Sequence, residues 1–408
     1  FSSCTRLSSV TIPDSVTRIG NSAFYSCRSL TNITIPKSLA SIGDRAFSRC
    51  TQLSAITVDM FNPFYSSLDG VLLNKSQTTL VQYPEGKGNN YTVPNSVTTI
   101  ADFAFYYCVN LTNVTIPFGV LHIGNGAFRR CANLKEVVIP DSVKSIGNSA
   151  FCYCTSLVNS TIPNSVTNIG NNAFALCTNL NNMAIGSSVT SIGETSFYSC
   201  INLTNAILSE GLATIGANAF LCCTSLVNVA LPNSLTNIGE RAFCRCFNVT
   251  DVAIPSGVIT IGDFAFSDCS SVASLTMSNG VESIGNGAFS NCSSLTKITI
   301  PSSVSYIGSA ICWGCDNLSA ITIDALSPFY STADGVLFNK EKTTLIRCLD
   351  NGMEDYAIPD SVTNIENSAF MFNSSLAKIT IPDSVRSIGS FAFACCTSLT
   401  IVTISNGV

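Results

Sequence analysis

The chain has 408 residues, of which only 11% are charged, and its formal net charge at pH 7 is −5. Average soluble domains are about 25% charged, so the surface should be polar but nearly neutral. The lysines and arginines are scattered along the sequence, which argues against a nucleic-acid partner. Runs of about 18 apolar residues are absent, so the sequence predicts no membrane insertion within this stretch.

One pattern of 23 residues recurs along the whole chain. Its template is L-x-x-[VI]-x-[IV]-P-x-x-V-x-x-I-G-x-x-A-F-x-x-C-x-x, as in Leu111–Asn133. We call the residues at one template position in successive copies a column. The phenylalanine column runs from Phe1 to Phe393 in fifteen copies, and only Cys312 departs from it. A fixed period of this length is typical of a solenoid, in which each coil buries its apolar side chains against its neighbours.

The template predicts the same elements in every copy. The L-x-x-V-x-I segment alternates apolar with variable residues and is rich in β-branched residues, which is typical of a short strand. The proline that follows lacks an amide hydrogen and should end the strand. The glycine after V-x-x-I needs either a positive φ or a close approach of backbone. The A-F-x-x-C segment is predicted to form one helical turn before the next strand.

These elements predict a repeat solenoid in which short β-strands stack into a parallel sheet and are joined by turns and one-turn helices. We expect about 15 coils and one elongated domain over residues 1–408, which begins and ends inside a repeat and is therefore a fragment of a longer chain. The phenylalanine column should be buried along the entire solenoid. At Cys312 we expect Ile311 and Trp313 to fill part of the space of the missing ring.

Two insertions of 35 residues interrupt the repeat and match each other. They occupy residues 59–92 and 324–357 and share P-F-Y-S-x-x-D-G-V-L-x-N-K-x-x-T-T-L. The Asp-Gly pair between strand-like segments predicts a β-hairpin added to the side of the solenoid. It is either a solvated hairpin or a projection that binds a partner. The next repeat has Ala101 or Glu366 in place of glycine, which predicts an altered backbone there.

The cysteines also form a column. Fourteen of the 20 occupy one template position, and Asn373 occupies the fifteenth. Since asparagine replaces cysteine there, we expect a small buried group that hydrogen-bonds to loop backbone. Stacked side chains point in the same direction, which is poor disulfide geometry. We predict shielded, reduced thiols, with reactive sites drawn from the six cysteines outside the column. These are Cys152, Cys222, Cys244, Cys312, Cys348 and Cys395.

The unit L-x-x-I-T-I-P-x-S-V-x-x-I-G-x-x-A-F-x-x-C resembles the BspA-type leucine-rich repeat over the whole chain. The insertion motif is similar to one that recurs within that family. The resemblance implies a leucine-rich-repeat solenoid at the surface of, or secreted by, host-associated bacteria or protists. It also implies adhesion to host matrix proteins, to cells or to other microbes. The resemblance does not assign any binding residue, because the residues shared with the family motif are those that build the fold.

Catalytic and metal-binding motifs are missing from the sequence. His122 is the single histidine and stands at a variable position, where an exposed neutral imidazole is expected. The sequence has no Gly-rich phosphate loop, H-E-x-x-H or nucleophile elbow. Cys312 and Cys315 form a C-x-x-C, but no second pair or histidine cluster completes a zinc site. We therefore expect a non-enzymatic binding protein without cofactor or metal, at the cell surface or extracellular.

A partner-binding surface is predicted where the outward column of the strands changes character. Most copies have threonine between the two inward apolar residues, whereas four adjacent copies have alanine or isoleucine. An apolar strip beside amide and carboxylate groups resembles a binding surface more than a uniform threonine column does. The predicted site consists of Asn182, Ala184, Asn205, Ile207, Asn228, Ala230, Asp251 and Ala253. Harmless drift of the repeat is the alternative, and the insertions are the second candidate surface.

The partner is expected to be a protein of the host extracellular matrix or cell surface, or the chain itself. In the second case the protein would be structural and would assemble end to end into filaments, because solenoid ends expose unpaired strands. Light scattering separates these functions, since an adhesin stays monomeric without its ligand.

Overall fold

The computed structural model describes residues 1–350 and 352–405. The chain divides into two compact units, Phe1–Leu212 and Ala213–Val408. Each unit consists of short β-strands joined by turns. The L-x-x-V-x-I segments form strands of two to four residues, and the V-x-x-I segments form strands of two residues.

The strands of the first unit alternate between these two kinds, apart from the three strands of the insertion. They are β1 (Arg18–Ile19), β2 (Asn32–Ile35), β3 (Ser41–Ile42), β4 (Ala55–Val58), β5 (Tyr65–Leu68), β6 (Val71–Asn74), β7 (Thr79–Gln82), β8 (Asn90–Thr92), β9 (Thr99–Ile100), β10 (Asn113–Thr115), β11 (His122–Ile123), β12 (Glu136–Val137), β13 (Ser145–Ile146), β14 (Asn159–Ile162), β15 (Asn168–Ile169), β16 (Asn182–Ile185), β17 (Ser191–Ile192) and β18 (Asn205–Ile207).

The second unit repeats this alternation and contains the second insertion. Its strands are β19 (Thr214–Ile215), β20 (Asn228–Val229), β21 (Asn237–Ile238), β22 (Asp251–Ile254), β23 (Thr260–Ile261), β24 (Ser274–Met277), β25 (Ser283–Ile284), β26 (Lys297–Ile300), β27 (Tyr306–Ile307), β28 (Ala320–Ile323), β29 (Tyr330–Ala333), β30 (Val336–Asn339), β31 (Thr344–Cys348), β32 (Asp355–Ala357), β33 (Asn364–Ile365), β34 (Lys378–Ile381), β35 (Ser387–Ile388) and β36 (Ile401–Ile404).

Most strands pair in parallel with the strand of the same kind in a neighbouring coil. In the first unit β8, β10, β12, β14, β16 and β18 follow one another in one sheet, and β9, β11, β13, β15 and β17 in another. Pairing joins equivalent template positions, as between Asn159 and Asn182. In the second unit β19, β21, β23, β25 and β27 stack in the same way. The alternation in each strand points one set of side chains into the core and the other set outward.

The first three strands of each insertion are antiparallel to one another, and the third of them joins the stack of two-residue strands. β5 pairs with β6, β6 with β7, and β7 lies parallel to β9. The turn between β5 and β6 has a positive φ at Asp69 and at Gly70, as a two-residue hairpin turn requires. β29, β30, β31 and β33 repeat this arrangement in the second unit. Each insertion therefore adds a strand to the stack as well as a hairpin.

The phenylalanine column forms the centre of the core. Rings of successive coils stack over long runs of each unit, as Phe128 does on Phe151 with centroids 5.2 Å apart. Tyr83 of the first insertion continues the column, because its ring stacks 5.1 Å from that of Phe105. The prediction of burial along the entire column is wrong at Phe1, which is 69% exposed. Phe1 has a ring neighbour on one side, Phe24.

The predicted one-turn helix after the glycine is wrong, since no helix occurs in the described part of the chain. Around Phe151, the residues Ser149 and Tyr153 have positive φ values, which an α-helix of L-residues cannot accommodate. The amides of Ser149, Phe151 and Tyr153 instead donate to carbonyls of the next coil at 2.7–2.8 Å. Hydrogen bonds between coils thus replace those within a helix.

The glycine column is explained by close approach of backbone. A Cβ atom on Gly147 would lie 2.6 Å from the amide nitrogen of Asn125 and 2.6 Å from the carbonyl carbon of Gly124. Ala101 is tolerated because the preceding coil is the insertion, where Leu80 and Tyr83 are three positions apart. In an ordinary coil the equivalent isoleucine and phenylalanine are five positions apart, as Ile123 and Phe128 are. The backbone that would meet the Cβ atom is therefore missing.

Candidate functional site

The predicted binding residues of the first unit lie together on the strand face, by which we mean the exposed side chains of β8, β10, β12, β14, β16 and β18. Asn182 and Ala184 of β16 pair in register with Asn205 and Ile207 of β18. Ile207 is 63% exposed although its side chain is apolar. Its exposure follows from the alternation of the strand, because Ala206 before it points into the core.

A row of amide side chains runs beside Ile207. The Nδ2 atom of Asn205 donates to Oδ1 of Asn182 at 3.1 Å, and Nδ2 of Asn182 donates to Oδ1 of Asn159 at 3.4 Å. These bonds fix the orientation of the three amides relative to the strands. Each amide group has two N–H hydrogens and two oxygen lone pairs. The row therefore keeps both donors and acceptors for a partner.

Two shallow depressions lie on the strand face. One, of about 360 Å³, lies over β14, β16 and β18 and is lined by Asn182, Ala184 and Ile207, among others. The other, of about 420 Å³, lies over β8, β10 and β12 and includes Tyr91 and Val138. Val138 is 69% exposed and was not among the predicted site residues. Its sequence signal was the same as that of Ile207, since both interrupt the threonine column.

The other four predicted residues lie in the second unit. Asn228 belongs to β20, Ala230 follows it, and Asp251 and Ala253 belong to β22. All four are exposed, and Ala253 pairs in register with Thr276 of β24. Four of the eight predicted residues therefore belong to the first unit and four to the second.

Comparison with known proteins identifies the family. The sequence model described as the BspA type leucine rich repeat region, in six copies, matches residues 1–67, 83–204, 146–272, 213–333 and 348–408. The chain belongs to the BspA-type leucine-rich-repeat family. The family resemblance and the leucine-rich-repeat solenoid predicted from the sequence are thereby confirmed. No functionally curated protein matches the sequence.

Solved structures of leucine-rich proteins share this fold. A leucine-rich cell-surface protein from Faecalibacterium prausnitzii is 30% identical, with a TM-score of 0.53, and the match covers 84% of this chain and 77% of that one. A leucine-rich repeat protein from Bacteroides ovatus is 24% identical, with a TM-score of 0.54, over 92% of this chain and 87% of that one. The second likeness concerns the fold alone.

The cysteine column of this BspA-type chain makes one recurrent contact. The thiol of Cys154 donates to the carbonyl oxygen of Phe128 at 3.1 Å, and Asn373 uses its amide for the carbonyl of Leu349 at 3.3 Å. The sequence predicted such a hydrogen bond to loop backbone, because asparagine replaces cysteine at one copy of the column. The thiol bond recurs at Cys27, Cys50, Cys131, Cys177, Cys200, Cys246, Cys269, Cys292, Cys315 and Cys396.

Burial makes most of these thiols unreactive. It raises the pKa of Cys50 and of Cys200 to about 12. Because the thiolate is the nucleophile, a thiol that stays protonated at neutral pH reacts slowly. The prediction that reactive sites come from outside the column needs correction. Cys152, Cys244, Cys312 and Cys348 lie outside the column and are buried, whereas Cys4 belongs to the column and is exposed.

We expect a bulky thiol reagent to modify the native chain first at Cys4 and Cys395, the two exposed cysteines. Cys222 and Cys396 should follow slowly, since they are half-buried. Mass spectrometry of the labelled chain measures the sites. A variant with Cys4→Ser and Cys395→Ser should lose the fast phase, and denaturation should expose the remaining thiols. Fast labelling of Cys154 in the folded chain would contradict the shielding.

The remaining candidates for chemistry are the single histidine and clusters of metal-binding side chains. His122 is exposed, and its Nδ1 atom lies 2.9 Å from the hydroxyl oxygen of Ser145. Groups of three or more His, Cys, Asp or Glu side chains that could hold a metal ion do not occur in the described residues. In the same part of the chain, no helix has the length and apolar character needed to cross a membrane.

Proposed function

We propose that this chain is a non-enzymatic binding protein, located at the cell surface or outside the cell. It adheres to a protein of the host extracellular matrix or cell surface, or to another microbe, through the strand face. Membership of a leucine-rich-repeat family supports this, because such solenoids typically bind proteins and are typically non-catalytic. The related Faecalibacterium prausnitzii protein is described as a cell-surface protein.

The observation that carries the proposal is the exposed Ile207 beside the amide row of Asn159, Asn182 and Asn205. An interface needs an apolar contact that loses its water and polar groups that fix orientation. Burying an isoleucine side chain contributes about 1.5–3 kcal/mol, and the amides supply directional hydrogen bonds. The depression at this place is open, which suits a protein surface. Asn228, Ala230, Asp251 and Ala253 present the same residue types on the second unit.

The test is a variant with Ile207→Asp and Asn205→Ala. The carboxylate would be buried without a counter-charge on binding, so adhesion to host-cell or matrix preparations should fall at least about tenfold, equivalent to 1.4 kcal/mol. Thr276→Asp is the matched control, since Thr276 is exposed in the same column of β24. It should leave adhesion unchanged. Asn228→Ala with Asp251→Ala tests the second unit separately.

Unchanged adhesion by the folded Ile207 variant would move the binding surface to the insertions at residues 59–92 and 324–357. These carry exposed apolar side chains at Met60, Phe61 and Leu326. If the apparent molar mass of the native chain, measured by light scattering without any partner, instead rises with concentration, self-assembly into filaments becomes the function.

A further inference from the structure

The second unit contains a cavity of about 310 Å³ beside its insertion, lined by Cys312, Cys315, Leu318, Arg347, Leu349 and Phe372, among others. We propose that this cavity binds a small organic carboxylate, with the guanidinium of Arg347 as the anion-binding group. The proposal is independent of the strand face. It concerns a small molecule, whereas the strand face is proposed to bind a protein.

Comparison of the two insertions explains how the cavity arises. The insertions, together with the coil before each of them, align without gaps at a displacement of 265 positions, so equivalent side chains can be compared directly. In the first copy Phe47 and Tyr83 are buried aromatic rings. The second copy has smaller side chains at three neighbouring positions and a new cation at a fourth. From first copy to second, the changes are Phe47 to Cys312, Arg49 to Gly314, Tyr83 to Cys348 and Gln82 to Arg347.

Larger residues beside Cys312 do not fill this space. Ile311 is buried, and the Trp313 ring packs with its centroid 5.8 Å from that of Phe372. The sequence predicted that Ile311 and Trp313 would replace part of the missing ring. The cavity shows that their volume leaves room for a molecule.

Arg347 is a buried cation, with only 6% of its surface exposed. Its Nη1 atom donates to the carbonyl oxygens of Ser368 at 2.7 Å and Met371 at 3.2 Å. Its Nε atom is buried and has no hydrogen-bond partner. No carboxylate in the described residues forms an ion pair with Arg347. An unpaired buried charge costs free energy, and an anion in the cavity would offset that cost.

The neighbouring thiols do not provide a negative charge, and the one nearby carboxylate with a shifted pKa is hydrogen-bonded to serines. Burial raises the pKa of Cys312 and of Cys348 to about 12, so both thiols are neutral at pH 7. Burial would also raise the pKa of Asp350, but hydrogen bonds from Ser374 and Ser375 outweigh it and lower the pKa. The carboxylate of Asp350 accepts from the Ser374 hydroxyl at 2.6 Å and from its amide at 2.8 Å. It is thus ionised, and its oxygens accept from Ser374 and Ser375 rather than from Arg347.

The lining defines the class of ligand. A guanidinium binds a carboxylate through paired N–H groups, and Leu318, Leu349 and Phe372 offer apolar contact to a short hydrocarbon chain. The exposed carboxylates of Asp316 and Asp350 also line the cavity, and they repel a dianion about twice as strongly as a monoanion. Its volume is at the small end of ligand sites, which span about 300–1,000 Å³. A short-chain monocarboxylate fits these conditions better than phosphate does.

Trp313, the single tryptophan of the chain, packs against Phe372 of the lining, so its fluorescence reports on this site. Titration of the native chain with butyrate should give a saturable change in emission. Butylamine, which lacks the carboxylate, and inorganic phosphate, which lacks the apolar body, should give none. An equal response to butylamine would overturn the proposal, because it would show apolar binding without anion recognition. The absence of any saturable response to butyrate would overturn it as well.

Arg347→Gln gives the cavity the residue of the first insertion and should raise the Kd for butyrate at least about tenfold, since a hydrogen bond to a charged group is lost. Arg386→Gln is the control, because it removes one exposed arginine of the same unit and should leave the Kd unchanged. Cys312→Phe restores the ring and should abolish binding while circular dichroism stays native. If Arg347→Gln fails to fold, the Cys312→Phe variant decides the question. Butyrate binding that persists after the cavity is filled would overturn the proposal.

Discussion

Replacing Phe151 with alanine should lower the free energy of unfolding by about 3–5 kcal/mol. Phe151 is fully buried, and its ring stacks on Phe128 at 5.2 Å and on Phe174 at 5.1 Å. Alanine would leave a cavity that these rings cannot fill, because hydrogen bonds between the coils hold their backbone in place. Denaturant unfolding followed by circular dichroism measures the change.

Phe1→Ala is the matched control, because Phe1 occupies the same column but is 69% exposed. The control should change the free energy of unfolding by less than about 0.5 kcal/mol, as surface substitutions usually do. A repeat array need not unfold in one step, so hydrogen exchange at the amides of Phe128 and Phe174 gives a local measurement. A loss below about 1 kcal/mol for Phe151→Ala would contradict the role of the column in the core.

The columns that the sequence predicted are those in which one residue type is forced by packing. Phenylalanine at the centre of each coil and glycine at the close approach have no good substitute, so both recur with the period. The period itself predicts stacking, because neighbouring coils must bury equivalent residues against each other. These columns are therefore sufficient to predict the fold class from the sequence.

The turn conformation was mispredicted because its cause lies in the next coil. Positive φ values occur at Ser149, Tyr153 and Arg130, which are residue types with no shared preference for that conformation. Hydrogen bonds to the neighbouring coil impose it. A second missed feature was visible in the sequence as Gly-Asn pairs. Oδ1 of Asn125 accepts from the amide of Asn148 at 2.8 Å, which makes asparagine after glycine a link between coils.

The candidate sites differ in how far the sequence could locate them. Ile207 was predicted because alternation tells which strand residues face outward, and Val138 could have been found by the same rule. The cavity at Arg347 could not be predicted from one insertion, because empty space depends on how neighbouring side chains pack. The phenylalanine column showed the loss of a ring at Cys312, and aligning the two insertions would have shown the loss at Cys348. It would not have shown that Ile311 and Trp313 leave the space open.

Replacing Gly147 with alanine should destabilise the chain by about 1–3 kcal/mol or more, although only one methyl group is added. The new Cβ atom would lie 2.6 Å from the amide nitrogen of Asn125 and 2.6 Å from the carbonyl carbon of Gly124. Both are backbone atoms of the preceding coil, so no side chain can rotate away. Relief requires the two coils to separate, which weakens the hydrogen bond from the Gly147 amide to the Ile123 carbonyl, now 2.8 Å.

Gly20→Ala provides the control for this prediction, because Gly20 stands in the same column but no heavy atom lies within 4 Å of its added Cβ. Alanine there should be neutral or stabilise by up to about 1 kcal/mol, since it restricts the unfolded chain without straining the folded one. Thermal or denaturant unfolding of both variants gives the comparison. Equal effects at the two positions would show that close approach does not select glycine. A large loss at Gly147 alone would show that the distance between coils is set by their backbones.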